Sequence, residues 1–426
     1  MVSTHLLDFL TLHPFVGVTL QDKIRGVILG SAIGDAVGLY TEFLPKTQAE
    51  LHPPVSFWPP PITTFRGDSH RDRFKEGSWT DDTDLSLLIL LSYLHNNALV
   101  PTDFAQRLYS WRSQGLRCLD RLPLGIGQNV SKVLLQEDFV TNPINASKVI
   151  WENSSRYIAP NGSLMRTHVL GIICLGMTKD QTFQTAMDFS LTTHYDPRCV
   201  VGCVAATGLI RGILRGEITS LKDVDDLLEE AFTWTQSNHP EANDQTLSHE
   251  EYLKHTSAES TSNLDDLQLD DARKMGYVYK GLSCGLWALR RAISGTSTFH
   301  DLIWGITLQG GDADTNACIA GALAGSWIGW GHLPPCWRDG LNDHEWLSDK
   351  TDKLMIAIGV KEGRDVGAQD LDTELYGGRG MLSEDECKKR EQALMEKILL
   401  KMDARRKEKE KEERGGGVWG ALKRLT

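Results

Sequence analysis

No run of apolar residues in this 426-residue chain reaches the ~18 that a membrane span requires, so an integral membrane protein is not expected. No basic stripe appears before roughly the last fifty residues, and the formal net charge is -12. Binding to nucleic acid or to an anionic membrane is therefore excluded as the main activity. Eight cysteines are scattered at 118, 174, 199, 203, 284, 318, 336 and 387, with no C-x-x-C pair among them. That excludes a disulfide framework and reads as free, mostly buried thiols in a reducing compartment. The first twenty residues have no basic start and carry Asp8 and His13 among their leucines, a poor secretory signal. The cytoplasm is the expected location, with the nucleus left open. Period-two alternation is almost absent, and no Val/Ile-rich run lies between hairpin turns. The glycine-rich pieces do not follow strands, which removes a Rossmann or P-loop reading.

What is there is helical. The shares of hydrophobic (41%) and charged (24%) residues are those of a globular chain. About a dozen helical segments predict an all-α, multi-helix domain over 21–360, after an N-terminal extension at 1–20. The segment 21–39 carries small residues at Gly26, Gly30, Ala32, Gly34, Ala36 and Gly38. Small residues cost helix propensity, so close approach by neighbouring helices is the expected compensation, and the helix should be central. Residues 45–76, rich in proline, predict a long ordered loop. Residues 236–271 are polar and acidic and predict a flexible insertion outside the core. Beyond Asp343 the core is expected to thin, with a linker at 361–382. A charged helix and tail follow over 383–426, opened by the capping box Ser383–Glu386. A partner contact through Trp419 and Leu422 is the alternative to a simply solvated tail.

Two acidic corners stand out. One is Gly77-Ser78-Trp79-Thr80-Asp81-Asp82-Thr83-Asp84; the other is Gly310-Gly311-Asp312-Ala313-Asp314-Thr315-Asn316. Each places carboxylates and threonine behind a glycine turn and runs into an apolar helix. Acids in a helix's first turn also favour the positive end of its dipole, which by itself would explain Asp81, Asp82 and Asp84. If Asp81, Asp82, Asp312 and Asp314 meet, their mutual repulsion calls for cations. Thr80 and Thr315 then add neutral oxygen ligands. An all-oxygen set suits Mg²⁺ or Mn²⁺ and not zinc. Two such ions ~3.5–4 Å apart orient a substrate and activate a water. Asp35 reads as a satisfied core carboxylate, whereas Glu42 falls just past its helix and can reach a site. The loop carrying Gly125, Gly127 and Asn129, and the turn Asn161-Gly162-Ser163, are candidate phosphate cradles or plain turns. His194 lies two residues ahead of a helix capped by Asp196 and Pro197.

Taken together, Gly30-x-x-x-Gly34-Asp35-Ala36-x-Gly38-x-x-x-Glu42, Trp79-Thr80-Asp81-Asp82-Thr83, Asn161-Gly162-Ser163-x-Met165-Arg166, Thr193-His194 and Gly310–Asn316 resemble the ADP-ribosylglycohydrolases. The resemblance implies a compact all-α fold with a binuclear magnesium site. It implies hydrolysis of the N- or O-glycosidic bond at ribose C1″ in an ADP-ribose-bearing substrate. The implied metal ligands are Thr80, Asp81, Asp82, Asp312, Asp314 and Thr315. Glu42 matches a glutamate that gates the site or helps proton transfer, and Glu42 and Asp81 are the candidate general bases. Gly125, Gly127, Asn129, Asn161, Gly162 and Ser163 match segments that hold diphosphate and ribose, and His194 a histidine beside ADP-ribose.

Three other readings are open. A D-x-D-x-T phosphatase would need Thr where Asn316 stands. A D-D-x-x-D terpene-synthase-like enzyme would need Asp where Leu85 stands. A non-catalytic ADP-ribose reader would share the fold, although all six implied ligands are present here.

Overall fold

The computed structural model describes residues 7–364 and 367–422. Among them there is no β-strand, only an isolated bridge between Pro160 and Tyr277. The α-helices begin with α1 (Pro14–Gly38), the short α2 (Lys46–Ala49), α3 (Asp81–Asn96), α4 (Pro101–Gln114), α5 (Gln128–Leu134) and α6 (Pro143–Asn153). They continue with α7 (His168–Ile173), α8 (Lys179–Leu191), α9 (Pro197–Leu214), α10 (Leu221–Asn238) and α11 (His249–Thr256). The last are α12 (Val278–Ile293), α13 (Phe299–Thr307), α14 (Ala313–Ile328), α15 (Pro335–Arg338), α16 (His344–Ala357) and α17 (Glu384–Leu422). The chain divides into two units. One runs to Thr63 and resumes over Gly77–Gly380; the other is Thr64–Glu76 with the chain from Met381.

The small-residue helix is central, as its composition predicts. It packs antiparallel along α14, with Gly26, Gly30, Gly34 and Gly38 set against Gly325, Gly321, Ala317 and Ala313 in turn. A Cβ at Gly34 would stand 2.0 Å from the Ala317 carbonyl oxygen, and one at Gly38 2.3 Å from that of Ala313. The backbones touch, so no side chain larger than hydrogen fits on α1 at these positions. Antiparallel contact also brings the C-terminal end of α1, with Asp35 and Glu42, to the N-terminal end of α14, with Asp312 and Asp314. On its other side α14 packs on α12, and α9 completes the core. Helix α9 is long and apolar enough to cross a membrane by those measures alone, but 94% of it is buried inside the protein, as a core helix is.

Several segments depart from expectation. Helix α1 starts at Pro14, well before residue 21, because His13 caps Phe15 N–H and proline suits the first turn. The apolar run 164–177 is broken into a 3-10 turn (Asn161–Arg166), α7 and a second 3-10 turn. The core does not thin after Asp343: α16 buries Leu347, Leu354 and Met355. Lys350, also buried, is ion-paired to Asp370 and Asp372, which ties the expected linker down.

Nor does the stretch 236–271 lie outside the core. Leu247, Tyr252, Leu264, Leu267 and Leu269 in it are buried, although Leu253 is exposed, and α11 packs on α12. Average composition hides them because most of the polar residues between them are exposed or half-buried. His239 in this stretch is buried against Tyr195, donating from Nε2 to the Tyr195 carbonyl at 2.9 Å. Burial pushes its pKa down to about 4 from 6.5. Between these values the unfolded chain takes up a proton that the folded chain refuses. This contribution is therefore fully present above pH 6.5 and is lost as pH falls to about 4. His239→Gln, which keeps a donor to Tyr195, should flatten the pH dependence of unfolding free energy in that window by up to about 1.4 kcal/mol per pH unit. Denaturant melts at stepped pH check this, and an unchanged slope would show that His239 titrates normally.

In the second unit, Arg405 of α17 forms a bidentate pair with Asp72, joined by Lys401, and Ile398 is buried. Met395, Leu399 and Leu400 are exposed. The helix runs on to Leu422. The side chains of Trp419 and Leu422 lie outside the described residues.

Candidate metal centre and substrate cleft

The turn before α14 is where glycine is required. Gly310 and Gly311 have φ of +67° and +64°, and a Cβ on them would meet the Leu44 and Leu269 carbonyl oxygens at 2.2 and 2.1 Å. Gly311 N–H donates to Leu44 O at 2.9 Å, and Phe43 N–H donates back to Gly311 O at 2.6 Å. This exchange fastens the Glu42 loop to the Asp312 corner. The other corner is fastened by Asp35. Its carboxylate accepts from Thr80 N–H (2.8 Å), Thr83 N–H (3.0 Å) and Thr83 Oγ1 (2.6 Å), locking the start of α3 onto α1. Trp79 and Trp111 donate from Nε1 to the two oxygens of Asp84, so that acid is a framework group facing away from the cluster.

The acids so positioned form two triads with ligand oxygens within 4.8 Å of one another: Asp35, Asp82 and Asp314, and Glu42, Asp312 and Asp314. Asp314 belongs to both. Thr315 Oγ1 contacts both Asp82 oxygens, at 2.9 and 3.1 Å. Thr80 Oγ1 faces Asp82 at 3.4 Å and Asp314 at 3.5 Å. One hydroxyl proton shared at such length between two carboxylates is a weak bond to either. Asn161 donates to Asp312 from Nδ2 at 2.7 Å. Burial, then repulsion from Asp314, holds the Asp82 carboxyl well above its usual range; for Asp314 burial is followed by repulsion from Glu42. Asp81 is raised likewise, by burial and then Asp35, and Asp35 itself is pushed up to about 6 by burial. So much buried acid resists ionising together, and a hard divalent cation removes the conflict.

Against the residues read from sequence, Asp82, Asp312, Asp314 and Glu42 fall in the triads, and Thr80 and Thr315 lie against them. Asp81 is in neither triad. It lies under the Gly125 loop, where a Cβ on Gly125 (φ +98°) would come 2.3 Å from Asp81 Oδ1. Asp35 takes a place in the cluster that its small-residue surroundings concealed, so it is more than a satisfied core carboxylate. Gly127 starts α5 with no crowding around its Cα, and Asn129 donates from Nδ2 to the Thr193 carbonyl at 3.0 Å. Gly162 abuts the His194 ring: a Cβ there would be 3.1 Å from Nε2. Ser163 does not face the cleft. Its hydroxyl is fully buried, accepting from Ser190 Oγ and Cys203 Sγ.

Beside the cluster opens a cleft of about 590 Å³ lined by Asn129, Tyr157, Pro160, Arg198, Gly276 and Lys280 among others. Gly276 connects it to the cluster, since a Cβ there would stand 3.5 Å from Asp312 Oδ2. A volume of this order takes a nucleotide-sized ligand. Arg198 and Lys280 had no sequence signal, because lone basic residues on helices usually face solvent.

The helical bundle thus sets two carboxylate triads that could hold divalent cations beside a cleft with room for a ligand. Residues 17–364 match the family model of the ADP-ribosylglycohydrolases, and the chain belongs to that family. It is 25% identical over 333 residues to the ADP-ribosylarginine hydrolase Tri1 of Serratia proteamaculans, covering 78% of this chain and 79% of that one. It is 22% identical over 329 residues to the ADP-ribosyl-[dinitrogen reductase] glycohydrolase of Rhodospirillum rubrum, covering 76% and 92%. Among solved structures, an ADP-ribosylglycohydrolase-related protein complex superposes with a TM-score of 0.56 at 22% identity, covering 80% of this chain and 98% of that chain, a likeness of fold.

Proposed function

We propose that this protein is a Mg²⁺-dependent hydrolase that releases ADP-ribose from arginine side chains. The observation that carries the reading is the pair of acidic triads sharing Asp314 beside the cleft. The donor set fits two hard cations, Mg²⁺ or Mn²⁺. Asp35, Asp82 and Asp314 would hold one and Glu42, Asp312 and Asp314 the other, with Thr80, Thr315 and Asp81 at their edges. When bound, such ions polarise ribose hydroxyls and lower the pKa of a water. The chain's own residues do the rest. Asn161 orients Asp312, the Gly125 loop and Gly162 turn hold diphosphate and ribose, and His194 lies beside the ADP-ribose. Glu42 or Asp81 takes a proton from the attacking water. The C1″–N bond breaks, a C1″–O bond forms from water, and the proton ends on the departing guanidine. The arginine linkage is supported by the name of the Serratia relative.

The test is release of ADP-ribose from arginine- and serine-linked peptides, with Mg²⁺ or chelator. Metal-dependent release from the arginine peptide is expected. Binding of ADP-ribose without cleavage of either peptide would instead favour a non-catalytic reader.

A further inference from the structure

Arg166 is fully buried, with no carboxylate paired to it among the described residues. From Nη2 it donates to Phe189 O (3.2 Å), Thr192 Oγ1 (3.2 Å) and Thr193 Oγ1 (2.8 Å), and its guanidinium lies 5.0 Å from the centre of the Phe104 ring. A guanidinium kept in the core against neutral acceptors is costly and calls for a reason. The Thr193 hydroxyl supplies one. Among the described residues its other hydrogen-bond partner besides Arg166 is His194 Nδ1, at 2.7 Å. Because guanidinium is a pure donor, Thr193 Oγ1 accepts from Arg166, and the direction of the second bond remains to be assigned.

If His194 Nδ1 carried the proton, Thr193 Oγ1 would accept twice, and its own buried O–H would have no acceptor. If the hydroxyl donates to Nδ1, its hydrogen is used and the imidazole proton passes to Nε2. Either form leaves one buried donor, at a cost of about 1–3 kcal/mol, but the Nδ1–H form strands it on a hydroxyl already flanked by two donors, whereas the other moves it to the Gly162 turn. The guanidinium also polarises the hydroxyl into a better donor. The proton of the neutral imidazole is then on Nε2, a fully buried atom with no partner among the described residues. Nε2 faces the Gly162 turn, one residue from the Asn161 that holds Asp312. The same Thr193 accepts from Asn129 through its carbonyl, so the helix-opening loop and the histidine are set by one residue.

We infer that Arg166 and Thr193 are positioning residues that lock His194 in its Nε2–H tautomer, presenting a hydrogen-bond donor to an oxygen of the substrate over the Gly162 turn. Burial and then the Arg166 charge hold the His194 pKa well below its usual value, so the imidazole stays neutral. The inference rests on the reading of that turn as a substrate contact.

The test uses the full chain labelled with ¹⁵N-histidine, the His194 signals being assigned by difference from His194→Gln. In wild type, Nε2 should carry the proton and Nδ1 should not. Thr193→Val, which keeps shape and removes the hydroxyl, should lose that tautomer preference. It should also weaken ADP-ribose binding by about 10–100-fold in calorimetry with Mg²⁺ present. Thr193→Ser should keep the tautomer and recover most of the affinity. A protonated Nδ1 in wild type overturns the inference. So does a Thr193→Val protein with both tautomer and affinity unchanged. Failure of the wild type to bind ADP-ribose at all would instead bring down the proposed function, since the tautomer is read without ligand.

Discussion

Asp314→Asn should abolish ADP-ribose release, by about 10³-fold or more, and should remove the effect of metal on stability. Asp314 is the one acid common to both triads, so its loss removes a ligand from each ion position at once. A loss of ~10³-fold corresponds to about 4 kcal/mol of transition-state stabilisation, within what Lewis-acid sites supply. The stability arm has the opposite sign without metal. In the stripped protein the Asp314 carboxyl is held well above its usual range, by burial first and then by Glu42, Asp312 and Asp35. Its raised folded pKa means that stability falls as pH rises from the usual carboxylate range toward that value. Neutral Asn removes the penalty. With chelator at neutral pH, Asp314→Asn should therefore melt higher than wild type. With Mg²⁺, wild type should rise with ligand concentration and the variant should not. Thermal melts of both proteins in both buffers decide it. A variant still stabilised by Mg²⁺ and still active would remove Asp314 from the site.

Gly34→Ala is expected to be the most damaging glycine-to-alanine change on α1. Its Cβ would meet the Ala317 backbone carbonyl at 2.0 Å, and a backbone atom, unlike the end of a flexible side chain, cannot swing aside. Relief requires α1 and α14 to separate. Overpacking of this kind costs about 1–3 kcal/mol, and a rigid neighbour puts it at the upper end. Separation would also pull Asp35 and Glu42 from Asp312 and Asp314, so activity should fall in the protein that remains folded. Gly17→Ala on the same helix is the control. A Cβ there meets nothing within 4 Å, so it should gain up to about 1 kcal/mol from helix propensity. Equal midpoints for the two variants in denaturant would show that the helices are not in backbone contact.

Both predictions depend on features with different visibility in sequence. The glycine spacing of α1 was legible because a run of small residues in a helix has few uses besides close packing. The complementary row on α14 (Ala313, Ala317, Gly321, Gly325) is as plain in sequence, but no rule of spacing says that the two rows meet. Asp35 was obscured for a related reason: an acid among small apolar residues looks the same whether it caps a helix or joins a metal cluster. Ser163 erred the other way, since a turn signal gives no direction to its side chain, and here the hydroxyl points inward.

By itself the sequence determined that the protein is helical, which helix would be central, and that two acidic corners follow glycine turns. These are properties of local pattern, since periodicity, glycine turns and closely spaced carboxylates each act within a few residues. Only the tertiary structure decided which acids come together, that Asp81 lies beneath the Gly125 loop, and that the polar stretch around Tyr252 belongs to the core. Those follow from contacts between segments up to hundreds of residues apart, such as Asp82 with Thr315, whose geometry is set when α1 and α14 close on each other.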